Sequence, residues 1–296
     1  MIGCGHVPET KSATARRKRV VIGGLALAYG VMMGLSALVM MPGEAMALRV
    51  TMKRIVFEGP KRADIIVLIN NSNEEMAYRF GWRRMRMSED KSLTPIEEGD
   101  AATDIQWAED MVQFAPRRVV LPAGGSQQLR LMLRRPKDLP DGEYRAHFWI
   151  EPEAESVKFD PAEVKGDPSS GPAVQIKMLT GITLPVIVRA GNLTASAAIS
   201  NGRVTRGGDN GGTVAFTLSR DGNRSLYGDF DFTCGSTVVH QVRGVAVYTE
   251  VTKRNLEFKL KALPADCRNL NVVYKATEDD ALFAGGTMAE ATIAVP

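Results

Sequence analysis

A long run of alternating apolar and polar residues constrains the fold of this chain most. From Val174 to Arg189, seven of the eight even-numbered positions are apolar and several odd-numbered positions are polar. Side chains alternate between the two faces of a β-strand, so the run predicts one strand with a continuous hydrophobic row. Its 16 residues would extend roughly 53 Å at about 3.3 Å each, whereas strands usually have about five or six residues. We therefore expect part of this strand to project beyond the core or to lie at a sheet edge.

Two interpretations of this strand differ in what covers its edge. Natural proteins usually protect exposed apolar edges with charges, prolines or bulges. Pro185 interrupts hydrogen bonding toward one end, whereas Val174–Met178 contains no proline. An exposed edge favours pairing with a strand of another protein, in which backbone hydrogen bonds supply affinity and alternating side chains fill a groove. The alternative is a half-buried central strand, with a bulge at Gly181 joining two shorter strands.

The chain after residue 47 is dominated by strand patterns. Short alternating runs separated by turn residues are typical of an all-β sandwich. A hinge at Ala190–Asn192 divides this part into expected domains at 48–190 and 191–296. The Gly-rich segment Arg206–Gly212 predicts a hairpin turn, because it lacks the Lys-Ser/Thr pair of a phosphate loop. The other expected strands are Arg49–Phe57, Ala63–Ile69, Met76–Arg86, Ser126–Leu133, Tyr144–Ile150, Val214–Ser219, Asp229–Thr233, Thr237–Val242, Gly244–Val251, Leu256–Leu260, Asn271–Lys275 and Met288–Val295.

The first 47 residues have the organisation of a cleavable export signal. Arg16–Arg19 form a basic cluster, Val20–Met41 carry no charge, and Ala45-Met46-Ala47 provides a small-x-small cleavage motif. This order predicts a secretory signal peptide and a mature chain that starts at Leu48. The alternative is a retained anchor, because the 22 uncharged residues would span roughly 33 Å as a helix. The arginine pair also leaves the choice between Sec and twin-arginine export open.

Removal of this signal changes the charge and the cysteine count. It takes away five basic and two acidic residues, which leaves 32 of each sign in residues 48–296. Without net positive charge, general binding to nucleic acid loses its main driving force. The two remaining cysteines, Cys234 and Cys267, predict one disulfide in an oxidising compartment. Two reduced, buried thiols are the alternative, since the sequence does not give the distance between them.

Short motifs follow one another in a specific order along the mature chain. They are Arg54–Gly59, Ile66–Asn71, Phe114–Arg118, Gln127–Arg130, Leu139–Arg145, Leu184–Arg189, Ser219–Asp229 and Gly244–Tyr248. In this order and spacing, the chain resembles the periplasmic pilus chaperones of the chaperone-usher pathway, and its second half resembles their archaic branch. The resemblance implies an all-β protein with two immunoglobulin-like β-sandwich domains in a boomerang arrangement, without a cofactor and without enzymatic activity.

The resemblance also implies a mode of action and two partners. Family members hold pilin subunits that lack their final strand by inserting alternating residues of the long strand, and they then pass the subunits to an outer-membrane usher. By position, the donated residues here are Val174, Ile176 and Met178, with Thr180 as a weaker continuation. An exposed strand of this kind also allows oligomers in which two copies cap each other.

Cations complete the site that the resemblance implies. Arg54, three residues before Phe57, takes the place of the arginine that anchors the terminal carboxylate of a pilin, and a guanidinium binds both oxygens of a carboxylate at once. Pro185 stands where other members have a second, lysine anchor, so the anchor rests on Arg54 alone or also uses Lys177 or Arg189. The family's ionic contact between domains is matched on the first-domain side by Arg130 and Glu143. The plain alternative for Arg54 is a solvated strand residue.

Two alternatives come from other functional classes. Catalysis and metal binding find little support, because removal of the signal leaves His147 and His240 without metal-ligand spacing and no Gly-x-Ser-x-Gly motif is present. Asp229 and Asp231 also lack the ligand spacing of an EF-hand. An exported β-sandwich adhesin or carbohydrate-binding protein stays open, although 6% aromatic residues do not favour a sugar-binding surface.

Overall fold

The computed structural model describes residues 48–90, 93–97, 99, 102–154, 179–208 and 211–296. These residues form strands arranged as two immunoglobulin-like β-sandwiches, which confirms the predicted all-β fold class. The predicted signal segment, 1–47, lies outside the described residues. Within the described ranges, no helix has the length and apolar character needed to span a bilayer.

The first sandwich packs a four-stranded sheet of order β1-β3-β9-β7 against a five-stranded sheet of order β2-β11-β10-β4-β8. Apolar residues from both sheets, such as Phe57, Leu68, Leu129 and Phe148, form its core. Its strands are β1 (Leu48–Val50), β2 (Ile55–Phe57), β3 (Ala63–Asn70), β4 (Met76–Arg83), β7 (Val112–Ala115), β8 (Arg118–Leu121), β9 (Ser126–Leu133), β10 (Gly142–Pro152) and β11 (Ile182–Ala190); between β4 and β7, β5 (Met85–Met87) and β6 (Leu93–Pro95) form a separate hairpin.

The second sandwich packs sheets of order β12-β13-β16 and β15-β14-β17-β18 around its own core. Met87 of the β5–β6 hairpin and Ile187 of β11 also belong to this core, so the two sandwiches share apolar contacts. The Gly-rich segment joins two antiparallel strands, which confirms the predicted hairpin. The strands are β12 (Ala195–Arg206), β13 (Gly212–Gly222), β14 (Leu226–Cys234), β15 (Thr237–Val247), β16 (Lys253–Leu260), β17 (Asn269–Ala276) and β18 (Thr287–Ala294).

The prediction of one strand at Arg49–Phe57 was wrong. β1 pairs antiparallel with β3 in one sheet, whereas β2 pairs parallel with β11 in the other. The chain therefore leaves one sheet and enters the other at residues 51–54, and a strand that changes sheets must break its hydrogen-bond ladder there. The separate strands predicted on either side of Arg243 are instead one strand, β15, in which Gly244 takes the positive φ of 74° that glycine adopts without steric cost.

β10 is buried on both of its faces. Tyr144, Ala146 and Phe148 point into the core of the first sandwich, while Glu143, Arg145 and His147 are buried on the opposite face. The His147 ring lies 6.0 Å from the ring of Tyr248 in the second sandwich. Both ring nitrogens of His147 are buried without a hydrogen-bond partner in the described part of the chain. Burial, followed by the nearby positive charge of Arg145, lowers the pKa of His147 from 6.5 to about 3.

Cys234 and Cys267 form the predicted disulfide. Their Cα atoms lie 5.8 Å apart, within the range that a disulfide can bridge. Cys234 ends β14, and Cys267 lies in the connection between β16 and β17. The disulfide therefore links the β16–β17 connection to the end of β14.

We expect the disulfide to contribute about 3 to 4 kcal/mol to the free energy of unfolding, because closing a loop of this length restricts the unfolded chain. The measurement is urea denaturation of a variant carrying both Cys234→Ala and Cys267→Ala, since alanine adds no polar group. Dithiothreitol should lower the stability of the wild type to that of the variant. A reductant effect of equal size on both proteins would contradict the prediction.

We expect His147 to make the fold sensitive to mild acid. An unfolded histidine titrates near 6.5 and the folded one near 3, so the unfolded state binds an additional proton between these values. Stability is therefore lost as the pH falls below about 6.5, at about 1.4 kcal/mol per pH unit, or about 2 kcal/mol between pH 7 and pH 5.

The measurement is the free energy of unfolding of His147→Leu at pH 7 and pH 5, with the partly exposed His240 replaced by Leu as the matched control. His147→Leu should lose most of the difference between the two pH values, and His240→Leu should keep it. Retention of the full difference in His147→Leu would assign the acid sensitivity to other groups.

Candidate functional site

The first half of β11 has one unpaired edge among the described residues. β10 pairs with the whole of β11, from Ile150 opposite Ile182 to Gly142 opposite Ala190. On the other side, β2 pairs only with Val186–Val188. The backbone at 182–185 therefore faces that side without a partner strand in the described part of the chain.

An apolar groove of about 520 Å³ lies at this edge. One wall comes from β1, which is the edge strand of the opposite sheet. Ile182 and Leu184 of β11 contribute to the other wall, and Met52 follows β1. A strand added here would cover the exposed edges of both sheets. The remaining lining residues are Leu48, Arg49, Val50, Lys53 and Asn71.

The predicted donor residues lie just before this edge in sequence. Val174, Ile176 and Met178 are outside the described residues, as is Lys177. Thr180 is described, and it is exposed and outside any strand. The described strand begins at Ile182, so the prediction of a strand through residues 179–181 was wrong. Between Ile182 and Ala190 the pairing with β10 is continuous, and no bulge interrupts it.

Arg54 lies between β1 and β2 and points into the second sandwich. Its side chain is 6% exposed, which is inconsistent with the alternative of a solvated strand residue. Nη2 donates to Thr277 Oγ1 at 2.9 Å and to Asp279 Oδ1 at 3.4 Å, and the guanidinium lies 4.0 Å from the centre of the Tyr227 ring. The hydrogen bond from Thr277, with a contribution from the charge of Arg54, lowers the pKa of Asp279. Nη1 of Arg54 is buried without a hydrogen-bond partner among the described residues.

Arg189 is held in a buried network of charges. Its Nε donates to Glu143 Oε2 and its Nη1 to Glu58 Oε2, both at 3.0 Å. Glu143 Oε2 also accepts from the backbone N–H of Ser225 in the second sandwich at 3.2 Å. The charge of Arg189 is thus already balanced by carboxylates of this chain, so its position is that of a structural cation.

Glu143 takes part in the charged contacts between the sandwiches, and so does Arg145, a residue that the sequence analysis did not select. Arg145 donates to both oxygens of Glu250, at 2.8 and 2.7 Å, and both side chains are at most 3% exposed. Arg130, predicted for this contact, is instead exposed in β9. β9 belongs to the sheet of β1 and β3, whereas Glu143 and Arg145 lie together in β10 of the other sheet. Sequence order alone did not distinguish these strands.

A second cleft, of about 390 Å³, opens between the two sandwiches. Its basic lining consists of Lys53, Arg243 and Arg254. Pro185 lies in the same lining, at the position where the family resemblance implies a lysine. The sequence analysis missed these three cations. Lys53 is adjacent to Arg54 in sequence, which was an available signal, whereas nothing in the sequence places Arg254 beside them.

The described residues give no support to a metal centre. Among them, no group of three or more His, Cys, Asp or Glu side chains is placed to hold a metal ion. Asp229 and Asp231 do share one face of β14, where both pair with Arg243, at 3.2 and 3.3 Å. These carboxylates are therefore part of a surface ion-pair cluster.

Comparisons with known proteins find similarity at the level of solved structures. No protein-family model matches the chain, and no curated protein matches it. A structure of the CsuC–CsuE chaperone–tip adhesion subunit complex, from archaic Csu pili of Acinetobacter baumannii, aligns with a TM-score of 0.43 and 11% identity over 83% of this chain and 97% of that chain. The CupB2 chaperone of Pseudomonas aeruginosa aligns with a TM-score of 0.40 and 12% identity over 84% of this chain and 100% of that chain.

A structure of the Salmonella enterica SafA pilin in complex with the SafB chaperone gives a TM-score of 0.39 and 12% identity, over 86% of this chain and 98% of that chain. Another similar structure is described as the periplasmic chaperone SfaE. The chain is similar to solved chaperones of the chaperone-usher pathway.

Proposed function

We propose that this protein is a periplasmic chaperone that binds pilin subunits by donating a strand and delivers them to an outer-membrane usher. The observation that carries the proposal is the unpaired edge of β11 at residues 182–185, beside an apolar groove. Strand addition at such an edge gains affinity from backbone hydrogen bonds and specificity from alternating side chains. Edges are normally protected, so an open one beside an apolar groove favours a binding role.

The alternation of the sequence connects the donor residues to this groove. Ile182 and Leu184 line the groove and occupy even-numbered positions. The donor residues Val174, Ile176, Met178 and Thr180 have the same parity. An extended chain that continues β11 toward its N-terminal side therefore places them on the groove side, because successive side chains alternate faces. A pilin that lacks one strand would receive this row as the missing part of its core.

The remaining parts of the proposal concern location and partners. Residues 1–47 form the cleavable signal that directs the chain to the periplasm, and residues 48–190 and 191–296 form its two domains. The apolar row would also need protection in the absence of a pilin, and a second copy of the chain is the proposed cap. Neither nucleic acid nor a cofactor enters this mechanism.

Arg54 is the proposed anchor for the terminal carboxylate of the pilin. Its Nη1 is a buried donor without an acceptor in the described part of the chain, and such a donor is costly unless a ligand satisfies it. Its Nη2 is held by Thr277 and Asp279, which fixes the orientation of the guanidinium. Arg189 is engaged by two glutamates, so Arg54 is the better placed of these two cations.

We expect Ile176→Asp combined with Met178→Asp to abolish recovery of a soluble pilin complex, because two carboxylates cannot enter an apolar groove without large desolvation costs. The experiment co-expresses each variant with a pilin-like subunit that lacks its final strand and measures the complex in a periplasmic extract. Ala173→Asp combined with Gln175→Asp is the matched control, since it adds the same charge at odd-numbered positions. Equal recovery with both double variants would refute donation by the even-numbered row.

We expect Arg54→Ala to reduce recovery of the complex at least about tenfold, the effect of losing a charged hydrogen bond of about 1.5 kcal/mol or more. Arg62→Ala is the control, because Arg62 is exposed and, among the described residues, its guanidinium donates only to nearby backbone carbonyls, those of Gly59 and Lys61.

A pilin with two additional C-terminal residues separates anchoring from folding defects. The extension should weaken binding to the wild type but cause no further loss with Arg54→Ala, since the carboxylate contact is already missing. A further loss of similar size in the Arg54 variant would show that Arg54 acts only through the fold.

A further inference from the structure

The face of β3 that points away from the core is apolar. Ile66 and Leu68 point into the core of the first sandwich. Ile65, Val67 and Ile69 alternate with them along the strand and belong to neither core cluster. Ile65 is 47% exposed. The solvated face of an antiparallel sheet normally carries polar side chains, so a strand that is apolar on both faces indicates that a partner packs on the outside.

The outward apolar residues of β3 form a single row. On one side of this row, β9 places Gln128 opposite Val67 and Ser126 opposite Ile69. On the other side, the hydroxyl of Thr51 accepts a hydrogen bond from the backbone N–H of Val67 at 3.2 Å. A second sheet would need several adjacent apolar rows to pack on. A row that is one strand wide instead fits the narrow apolar stripe of a single amphipathic helix.

Two arginines flank the row on opposite sides. Arg130 of β9 lies opposite Ile65, and Arg49 of β1 lies opposite Ile69. Both arginines are exposed, and neither pairs with a carboxylate in the part of the chain that the structure describes. The outward positions of β1, β3 and β9 contain no Asp or Glu. The face therefore suits an acidic partner, because complementary charges guide association and fix its register.

The dimensions of the row set the size of the partner. From Ala63 to Ile69 the row extends roughly 20 Å at about 3.3 Å per residue, which is the length of about 13 helical residues. The two arginines lie opposite Ile65 and Ile69, so they are separated by roughly 13 Å along the row. A helix covers that distance in about nine residues, or about two and a half turns. Two acidic residues at this spacing lie on opposite sides of a helix, as the arginines lie on opposite sides of the row.

We propose that the outward face of β3 binds an acidic amphipathic helix of another protein, about 13 residues long. Its apolar stripe packs on Ile65, Val67 and Ile69, and its acidic side chains pair with Arg49 and Arg130. This surface is separate from the proposed strand donation, because it lies on the outside of the β1-β3-β9-β7 sheet, whereas β11 belongs to the other sheet. Covering one face of a sheet with a helix is a common solution in folded domains.

The test measures binding of the purified protein to three fluorescein-labelled peptides of about 13 residues, by fluorescence anisotropy. A staple on the polar face keeps each peptide helical, since isolated helices of this length are marginal in water. The first peptide has a leucine stripe flanked by two glutamates, the second has lysines in place of the glutamates, and the third has serines in place of the leucines.

The glutamate peptide should bind at least about fivefold more tightly than the lysine peptide, because two exposed ion pairs are replaced by repulsion. It should bind at least about tenfold more tightly than the serine peptide, which has no apolar stripe to bury. Equal affinity of the glutamate peptide and either of the others would overturn the proposal.

Variants assign the binding to this face. Ile65→Ser should weaken binding of the glutamate peptide at least about tenfold, whereas Val120→Ser should leave it unchanged, because Val120 is a similarly exposed residue of the other sheet. Arg130→Gln should reduce the preference for glutamate over lysine severalfold, and Arg203→Gln, at an exposed position of β12, should not. Arg130 is chosen because Arg49 also lines the groove beside β11. Wild-type binding by either Ile65→Ser or Arg130→Gln would overturn the assignment.

Two further measurements separate this surface from other occupants. Vesicles of phosphatidylglycerol present negative charge and an apolar interior; if they bind through Ile65 and the glutamate peptide does not bind, the face is a membrane surface and the proposal is overturned. Ile65→Ser should leave recovery of a pilin complex unchanged. Loss of that recovery would place the face within the pilin site and overturn a separate partner, whereas the Ile176 and Met178 double variant decides the chaperone function independently.

Discussion

The buried polar face of β10 is the constraint on which the arrangement of the two sandwiches depends. Glu143, Arg145 and His147 follow one another on this face and are at most 5% exposed. Burying a charge is unfavourable unless it is paired and hydrogen-bonded. The opposite face of β10 is occupied by the core of the first sandwich, so partners must come from elsewhere. Arg189 of the neighbouring β11 binds Glu143. From the second sandwich, Glu250 binds Arg145 and the backbone amide of Ser225 binds Glu143.

The same constraint extends through Glu58 to the end of β2. The two carboxylate oxygens of Glu58 bind different arginines, Arg189 at 3.0 Å and Arg224 at 3.4 Å, and Arg224 in turn binds Asp280 at 2.8 Å. Buried ion pairs contribute little net stability on average, but removal of one partner is strongly destabilising. The network therefore mainly fixes the relative positions of the strands that it connects. Because Glu58 directly follows β2, the network fixes that short strand against β11 and places the preceding Arg54 beside Thr277.

Alternation in the sequence was sufficient to predict strands whose two faces differ clearly in polarity. β9 begins and ends where the pattern placed it, and β3 differs by one residue. The pattern failed for β12, whose Ala, Ser and Asn residues are only partly buried or exposed along most of its length, since such residues give weak strand signals. It also did not select Arg145 for the contact between the sandwiches, because polar residues alternating with apolar ones look the same whether water or a second sandwich covers them. Whether water or a second sandwich covers the polar face of a strand depends on tertiary packing, and the local sequence pattern does not show it.

The break between β1 and β2, where one continuous strand was predicted, is also what leaves the edge of β11 open. In the parallel register, Ile55 lies opposite Val186, so a strand continued backward from β2 would place residues 51–54 opposite 182–185. The predicted single strand Arg49–Phe57 would then have covered the edge where an added strand is proposed to bind. Instead the chain leaves β11 there and joins β3 through β1. This change of sheet leaves the edge of β11 at 182–185 unpaired. It also places Arg54 outside the hydrogen-bond ladders of both sheets, and its side chain reaches the second sandwich. The break in the strand thus provides both the edge for a partner strand and the cation proposed for its carboxylate.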